Sequence, residues 1–304
     1  MASVASSGSD ALAGRSEPLV LGRGRRRGAV RRDTLLTVVA ERSLLIALAI
    51  MFLAPLVFVL LTALMTTAQA AGPDIWPHPF RLANFADVFD RAGLLRASAN
   101  TLLYAGLSTI GVVVSSVPVA YALSRLRWRL RGATFIVVLA TMMLPQQVTA
   151  VPLYVLFAKL HLVGTLAPLI VPSFFGDAFS IFLLRQFFLT IPQEYVDAAR
   201  IDGAGEWRIL RQIVVPLAKP AIAAVALFSF LYAWNDFFGP LLYTGENSAS
   251  WTASVALANI RSQHHVQWNL TMAATVLFML PVILLFFVAQ KAFVQGVTLT
   301  GVKG

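Results

Sequence analysis

Cysteine is absent from the 304-residue sequence, and charged side chains are scarce. The missing cysteines exclude disulfide bonds, thiolate catalysis and cysteine-ligated zinc. Asp, Glu, Lys and Arg together make up 12% of the chain, whereas soluble domains usually carry about 25%. Because 58% of the residues are hydrophobic and occur in long runs, the sequence predicts an integral membrane protein.

The sequence also lacks the motifs of common catalytic sites. It contains no Gly-x-x-x-x-Gly-Lys-Ser/Thr phosphate-binding loop and no His-Glu-x-x-His zinc motif. The neighbours His264 and His265 would not share a helix face, so we interpret them as loop residues. We therefore expect no enzyme activity, no catalytic residue, no metal and no bound cofactor, and any ATP hydrolysis must come from a partner.

Six apolar blocks predict an all-α integral membrane protein with about six transmembrane helices, since a helix satisfies its own backbone hydrogen bonds in lipid. The blocks span residues 43–66, 98–124, 133–160, 164–189, 217–243 and 270–293. The Arg-rich stretch 1–42 predicts a disordered tail. Residues 67–97, which contain Gly72, Pro73, Pro77 and Pro79, predict a loop.

Basic residues are distributed unevenly among the segments between these blocks. With the N-terminus inside, 19 of the 24 Lys and Arg residues lie in cytoplasmic segments and five lie outside. This bias predicts that both termini are cytoplasmic and that the 67–97 loop is extracytoplasmic. We assign the net charge of +10 to topology beside the lipid bilayer and not to nucleic-acid binding.

The loop between the fourth and fifth blocks has the pattern of two helices. Pro192 suits the first turn of a helix and Glu194 suits its positive N-terminal end, while Gly203 suits a helix end with positive φ. A second helix is predicted to begin at Glu206 and to end before Pro216.

Small side chains dominate one face of the first of these helices. Tyr195, Ala198, Ala199 and Asp202 follow the spacing i, i+3, i+4, i+7, which places them on a common face. Alanines allow another protein to approach the helix backbone closely. The pattern favours a docking helix over an amphipathic helix on the membrane surface, which would show a large apolar face and a basic one.

The same loop reproduces a longer pattern, Glu-Ala-Ala, three residues, Gly, nine residues, Ile, one residue, Leu-Pro. The matching residues are Asp197-Ala198-Ala199, Gly203, Ile213 and Val215-Pro216. The spacing agrees throughout, with Asp in place of Glu and Val in place of Leu. The loop therefore resembles the EAA loop of permease subunits of ABC importers, and residues 190–216 are called the EAA-like loop below.

Further stretches resemble carbohydrate-importer permeases of the maltose-transporter type, in particular the smaller permease subunit. They are residues 182–188, 199–205, 234–236 and 301–304. The resemblance implies a type I ABC importer permease fold in a bacterial cell membrane. It also implies a permease core over 98–304, with a cytoplasmic coupling loop at 190–216.

The resemblance further implies partners and the residues that face them. The expected partners are a second, different permease subunit, two ATPase subunits that bind ATP and Mg, and an extracytoplasmic sugar-binding protein. The residues expected to couple to the ATPase are Glu194, Asp197, Ala198, Ala199, Asp202, Gly203, Ala204 and Pro216.

Polar and aromatic residues inside the apolar blocks are candidates for the cargo pathway. They are Gln146, Gln147, Tyr154, Trp234, Asn235 and Asp236. Amides and aromatic rings suit a sugar, and such groups are costly in hydrocarbon unless they face protein or water. Two alternatives stay open: these residues could instead pack helices through hydrogen bonds, and Asp236 could be solvated at the membrane interface.

Other functions are compatible with parts of this pattern. An importer of another small solute, such as glycerol phosphate or an oligopeptide, would share the EAA-like loop. A secondary transporter or channel would need functional groups in the membrane core, where Asp177 and Asp236 are the candidate carboxylates. In such a protein the EAA-like loop would have no role.

The predicted orientation can be tested directly because the chain has no native cysteine. Ser124→Cys and Gln193→Cys should be shielded from a membrane-impermeant thiol reagent added outside the cell. Ser248→Cys should react with it. External labelling of Gln193→Cys would contradict both the orientation and the cytoplasmic position of the EAA-like loop.

Overall fold

The computed structural model describes residues 29–262 and 266–298, and every regular element in these ranges is helical. The chain divides into two compact units, Met1–Pro55 and Leu56–Gly304. Residues 1–28 of the Arg-rich stretch, the pair His264 and His265, and the 301–304 stretch lie outside the described residues.

Fifteen α-helices occur in the described ranges. In chain order they are α1 (Ala29–Ala63), α2 (Thr67–Ala70), α3 (Ala83–Ala92), α4 (Leu94–Arg125), α5 (Arg131–Thr141), α6 (Gln146–Lys159), α7 (Ala167–Ile170), α8 (Ala178–Thr190), α9 (Gln193–Ile201), α10 (Glu206–Ile209), α11 (Val215–Leu217), α12 (Lys219–Asn235), α13 (Phe238–Thr244), α14 (Ala253–Ser262) and α15 (Trp268–Thr298). Between them lie 3-10 turns at Val171–Phe175 and Ser248–Ser250 and a π-helical turn at Leu210–Val214.

Length and apolar composition fit the predicted number of spans. Within the part of the chain that the structure describes, four stretches could each cross a membrane, namely Thr37–Ala63, Leu94–Arg125, Ala167–Thr190 and Trp268–Phe287. Two bent helix pairs, α5 with α6 and α10–α11 with α12, raise the number to six if each pair is one span. The all-α membrane fold predicted from the apolar blocks is confirmed.

α1 is longer than the first apolar block. It begins at Ala29, so its first turns fall within the stretch 1–42 for which a disordered tail was predicted. The residues at this end include Ala, Arg, Leu and Glu, which favour helix and extend it beyond the apolar run. Its side chains between Val39 and Leu53 are exposed, so this apolar surface requires lipid or another protein.

The third block is not one continuous helix. α5 ends at Thr141, α6 begins at Gln146, and the two axes meet at 93°. Pro145 stands at the break, with extended backbone angles. A proline lacks the N–H that would continue the hydrogen-bond ladder and disfavours helix at the residue before it.

The second unit is built around α4, which packs against α8, α12 and the 3-10 turn Val171–Phe175. Contact with the turn is close at Gly111, where an added Cβ would lie 2.5 Å from Ser173 Oγ. Ser115 Oγ donates to Ser173 O at 3.1 Å, and Ser116 Oγ accepts from the Asp177 amide at 3.3 Å. Small residues thus allow the α4 backbone to approach the turn and bond to it.

A buried asparagine joins a second set of elements. Asn84, on α3, donates from Nδ2 to Ala63 O and to Met65 O, both at 2.8 Å, and its Oδ1 accepts from Asn269 Nδ2 at 3.1 Å. These bonds tie the end of α1 and the start of α15 to α3. A buried amide with these partners fixes the end of α1 and the start of α15 against α3.

Gly106 and Gly111, which lie five residues apart on α4, provide a test of this packing. A Cβ at Gly111 would overlap Ser173 and Phe174, whereas a Cβ at Gly106 meets no atom within 4 Å. We expect Gly111→Ala to destabilise the purified protein by about 1–3 kcal/mol through overpacking. Gly106→Ala should be neutral, or stabilising by up to about 1 kcal/mol. Thermal unfolding in detergent measures both, and equal midpoints for the two variants would contradict the close contact.

Candidate functional site

The EAA-like loop folds as two short helices joined at a glycine. α9 follows Pro192 and ends before Gly203, whose φ is +78°, so the predicted left-handed glycine is confirmed. The prediction that the second helix ends before Pro216 is wrong, because the chain stays helical through a π-helical turn to Leu217. Pro216 lies inside this helical stretch, directly after the π-helical turn, where a proline cannot donate to the backbone hydrogen-bond ladder.

One side of the EAA-like loop is anchored in the bundle. Val196, Ile209 and Val214 are fully buried in a cluster that also contains Phe188 at the end of α8. Ala199 and Ala204 are half-buried and pack against this cluster. Ala199 therefore contributes to the internal packing, whereas Ala198 is exposed.

The opposite side of the EAA-like loop is exposed and carries three large apolar side chains among acidic and small residues. Ile201 is 86% exposed, Trp207 64% and Tyr195 56%. Glu194, Asp197, Ala198, Asp202 and Gly203 are exposed with them. Large apolar side chains on a short, well-anchored helical segment form a surface suited to protein docking.

Charged groups of the EAA-like loop pair with each other. Arg200 donates from Nε to Glu206 Oε1 at 2.9 Å and from Nη1 to Asp197 Oδ1 at 3.2 Å. The hydrogen bond to Glu206 raises the pKa of Arg200. Asp197, the first residue of the motif, thus has a partner within this chain.

Two residues of α4 also contact the EAA-like loop. Tyr121 donates its hydroxyl to Glu206 Oε2 at 2.5 Å, and Arg125 donates from Nη1 to Gln193 Oε1 at 2.6 Å. Nη2 of Arg125 donates to the carbonyls of Phe188 and Ile191. The sequence pattern had assigned Arg125 only to topology, and a single sequence offers no signal that separates a buried arginine from a topogenic one.

A cavity of about 520 Å³ lies between α4 and α12. The start of α6, the 3-10 turn Val171–Phe175 and the start of α8 complete its wall. This volume falls within the range of small-molecule sites. Its polar lining residues are Tyr104, Ser108, Gln146, Ser173, Asp177, Ser180, Ser229 and Tyr232. Gln146 donates from Nε2 to the hydroxyl of Tyr232 at the cavity wall.

Of the six residues predicted for the cargo pathway, Gln146 alone lines this cavity. Gln147 and Asn235 are exposed elsewhere on the chain, and Asn235 donates to Leu231 O on its own helix at 2.8 Å. Tyr154 lines a separate cavity of about 510 Å³ and stacks on Tyr243.

Trp234 and Asp236 have structural partners. Trp234 is buried, stacks between Phe230 and Phe278, and donates from Nε1 to Phe278 O at 3.2 Å. The structure thus places Trp234 in the core and not at a cavity. Asp236 accepts from the Tyr104 hydroxyl at 2.9 Å and from the Gly239 amide at 3.1 Å, so it links α4 to the start of α13.

Sequence reasoning missed most of the cavity lining. Tyr104 and Ser108 are polar residues spaced four apart on the apolar helix α4, which is a pattern that could have indicated a shared face. Ser229 and Tyr232 repeat the pattern with a spacing of three on α12. Their common cavity depends on the packing of α4 against α12, which the sequence does not reveal.

Comparison with known proteins gives consistent matches. The model of the family described as "Binding-protein-dependent transport system inner membrane component" matches residues 113–299. The arabinooligosaccharides transport system permease protein AraQ of Halalkalibacterium halodurans is 34% identical over 231 residues, covering 75% of this chain and 81% of AraQ. The sn-glycerol-3-phosphate transport system permease protein UgpE of Yersinia pestis is 34% identical over 232 residues, covering 74% of this chain and 80% of UgpE.

The fold is also similar to that of a solved transporter chain. A chain in the crystal structure of a bacterial ABC transporter involved in the import of the acidic polysaccharide alginate superposes with a TM-score of 0.75 at 24% sequence identity. The match covers 86% of this chain and 98% of the transporter chain.

Proposed function

We propose that this chain, which belongs to the family of binding-protein-dependent transport system inner membrane components, is one permease subunit of an ATP-driven sugar or oligosaccharide importer. The observation that carries the proposal is the exposed apolar face of the EAA-like loop. Tyr195, Ile201 and Trp207 stand out from a segment whose other side is packed in the bundle. That arrangement suits transmission of motion from a docked protein to the membrane helices.

The protein that docks there is an ATPase subunit on the cytoplasmic side. The excess of basic residues in the segments assigned to the cytoplasm supports this orientation. ATP and Mg are bound by the ATPase, since the chain has no phosphate-binding loop. A second permease subunit completes the pore, and an extracytoplasmic binding protein delivers the cargo. The α1 and α5–α6 surfaces supply exposed apolar area for lipid and the second permease.

The lining of the cavity between α4 and α12 favours a neutral cargo. Its residues offer hydroxyls, an amide and aromatic rings, and among them none is basic while Asp177 is acidic. Aromatic faces and hydroxyl or amide groups suit a sugar. A phosphate group buried without a cationic partner would be strongly unfavourable. The sugar is therefore better supported as cargo than glycerol phosphate.

The two carboxylates considered for a secondary transporter bond to backbone amides at helix starts, and Asp177 is the N-cap of α8. Asp177 Oδ2 accepts from the Ser180 amide at 2.8 Å at the start of α8. Asp236 accepts from the Gly239 amide at the start of α13. A carboxylate that satisfies free N–H groups at a helix start has a structural function, and family membership favours the ATP-driven importer over that alternative.

Docking can be tested by changes on the exposed side of the EAA-like loop. Ala198→Leu adds bulk where a partner must approach the backbone, and Gly203→Ser forces a side chain into a left-handed conformation at a cost of about 1–2 kcal/mol. We expect both variants to assemble in the membrane but to lose cargo-stimulated ATP hydrolysis and uptake. Asp202→Asn should have a milder effect, since an exposed ion pair between Asp202 and a charge on the partner would contribute only about 0–1 kcal/mol.

Gly205→Ser is the matched control for Gly203→Ser. Gly205 has an ordinary φ of −69° and stands at the N-cap of α10, where serine is favoured. The assay is ATPase activity of the purified transporter with and without its loaded binding protein. Normal stimulation in both Ala198→Leu and Gly203→Ser would refute the docking assignment.

The cargo site can be tested at Gln146 and Tyr232. Gln146→Ala and Tyr232→Phe each remove hydrogen-bonding groups from the cavity wall, and we expect roughly tenfold slower uptake of a neutral trisaccharide. Gln147→Ala alters the adjacent exposed amide and should transport normally. Uptake of labelled arabinotriose and of sn-glycerol 3-phosphate would be measured in the complete transporter.

Two results would count against this cargo assignment. Normal uptake by both cavity variants would remove the cavity from the cargo pathway. Uptake of sn-glycerol 3-phosphate in preference to neutral trisaccharides would show that the cargo is anionic.

A further inference from the structure

Six side chains are joined in series by five hydrogen bonds between α4 and the EAA-like loop, and the α4 backbone closes the series. In bonding order they are Tyr121, Glu206, Arg200, Asp197, Gln193 and Arg125. Tyr121 and Arg125 are four residues apart on α4, so one helical turn joins the two ends of the set. This set is called the hydrogen-bonded ring below.

The hydrogen-bonded ring runs along α9 and then crosses to α10. Gln193, in the first turn of α9, donates to Asp197 Oδ1 at 3.1 Å, and Arg200 at the last turn donates to the same oxygen at 3.2 Å. Arg200 then spans the Gly203 corner to reach Glu206 at the start of α10. Both helices of the EAA-like loop are therefore bonded, directly or through Arg200, to one turn of α4.

Arg125 is the most constrained member of the ring. Its residue is 7% exposed, and its guanidinium donates to two backbone carbonyls at the end of α8 as well as to Gln193. The last carbonyls of a helix have no partner within it and carry partial negative charge. A planar guanidinium can donate to several acceptors in different directions at once. A lysine ammonium carries its donors on a single nitrogen and reaches fewer acceptors that lie apart.

The helix that carries the ring also reaches the cavity. α4 is one continuous helix from Leu94 to Arg125, with Tyr104 and Ser108 at the cavity and Tyr121 and Arg125 at the ring. The exposed face of Ile201 and Trp207 lies on the same loop as the ring. A displacement of the loop would thus pull directly on the helix that lines the cavity.

We propose that the hydrogen-bonded ring transmits motion of the EAA-like loop to α4, with Tyr121 and Arg125 as positioning residues for transport. The inference rests on the proposed docking of an ATPase subunit to this loop. It assigns to Arg125 a function beyond membrane topology, and it assigns to the Arg200 and Glu206 pair a function in coupling.

The test uses the assembled transporter with its partner subunits. Arg125→Gln should lower uptake at least about tenfold, because it removes charge-assisted hydrogen bonds, while ATP hydrolysis without cargo persists. Arg125→Lys should not restore uptake, although it keeps the positive charge that topology requires. Arg127→Gln removes a neighbouring charge from an exposed residue and should transport normally.

Measuring the distance between the end of α4 and the EAA-like loop shows whether a loss of uptake arises from their uncoupling. Spin labels at Leu130→Cys and Arg208→Cys, both exposed, should give a narrow distance distribution in the parent transporter. Arg125→Gln should broaden it. Should Arg125→Gln fail to assemble, a double-mutant cycle between Tyr121→Phe and Glu206→Gln serves instead, with strongly non-additive losses of uptake expected.

Three results would overturn the proposal: full rescue of uptake by Arg125→Lys, an unchanged distance distribution in Arg125→Gln, or additive effects in the cycle. Failure of this inference is distinguishable from failure of the proposed docking. If Gly203→Ser uncouples the ATPase while the ring variants transport normally, docking stands and the ring is not the transmitting element. If Gly203→Ser also couples normally, the docking assignment itself fails.

Discussion

A guanidinium ion buried at the end of an apolar helix is stable only where hydrogen-bond acceptors surround it. Nη1 and Nη2 of Arg125 find such acceptors at the start of α9 and at the carbonyl end of α8, whereas its buried Nε has no partner among the described residues. These bonds require α4, α8 and the EAA-like loop to meet at one point. Arg185 on α8 makes the reciprocal contact, donating from Nε to Leu123 O at 3.1 Å near the end of α4. Each of these two arginines thus donates to carbonyls at the C-terminal end of the neighbouring helix.

This junction links two regions with different surface chemistry. Beyond it, the EAA-like loop exposes Ile201 and Trp207, which a protein partner would cover. Along α4 in the other direction lies a cavity of about 520 Å³ with hydroxyl, amide and aromatic lining. Tight contact at Gly111 joins α4 to the 3-10 turn beside that cavity. α4 therefore bonds to the EAA-like loop at one end and lines the cavity further along.

Local patterns in the sequence predicted much of this arrangement. The apolar blocks predicted the helical membrane fold, and the spacing around Gly203 predicted a helix end with positive φ, because both depend on neighbouring residues. The contact between Gln146 and Tyr232 joins residues far apart in the chain, and the burial of Trp234 depends on Phe278 of another helix. Arg125 resembles a topogenic arginine in the sequence. Its function follows only from which carbonyls α8 places beside it.

The central claim is that the exposed face of the EAA-like loop contacts the ATPase subunit. A photo-crosslinking amino acid at Ile201, the most exposed apolar residue of that face, tests it in the assembled transporter, with mass spectrometry to identify the adduct. A covalent adduct with the ATPase subunit, formed in high yield, is the expected result. An adduct confined to lipid, to the binding protein or to the second permease would contradict it.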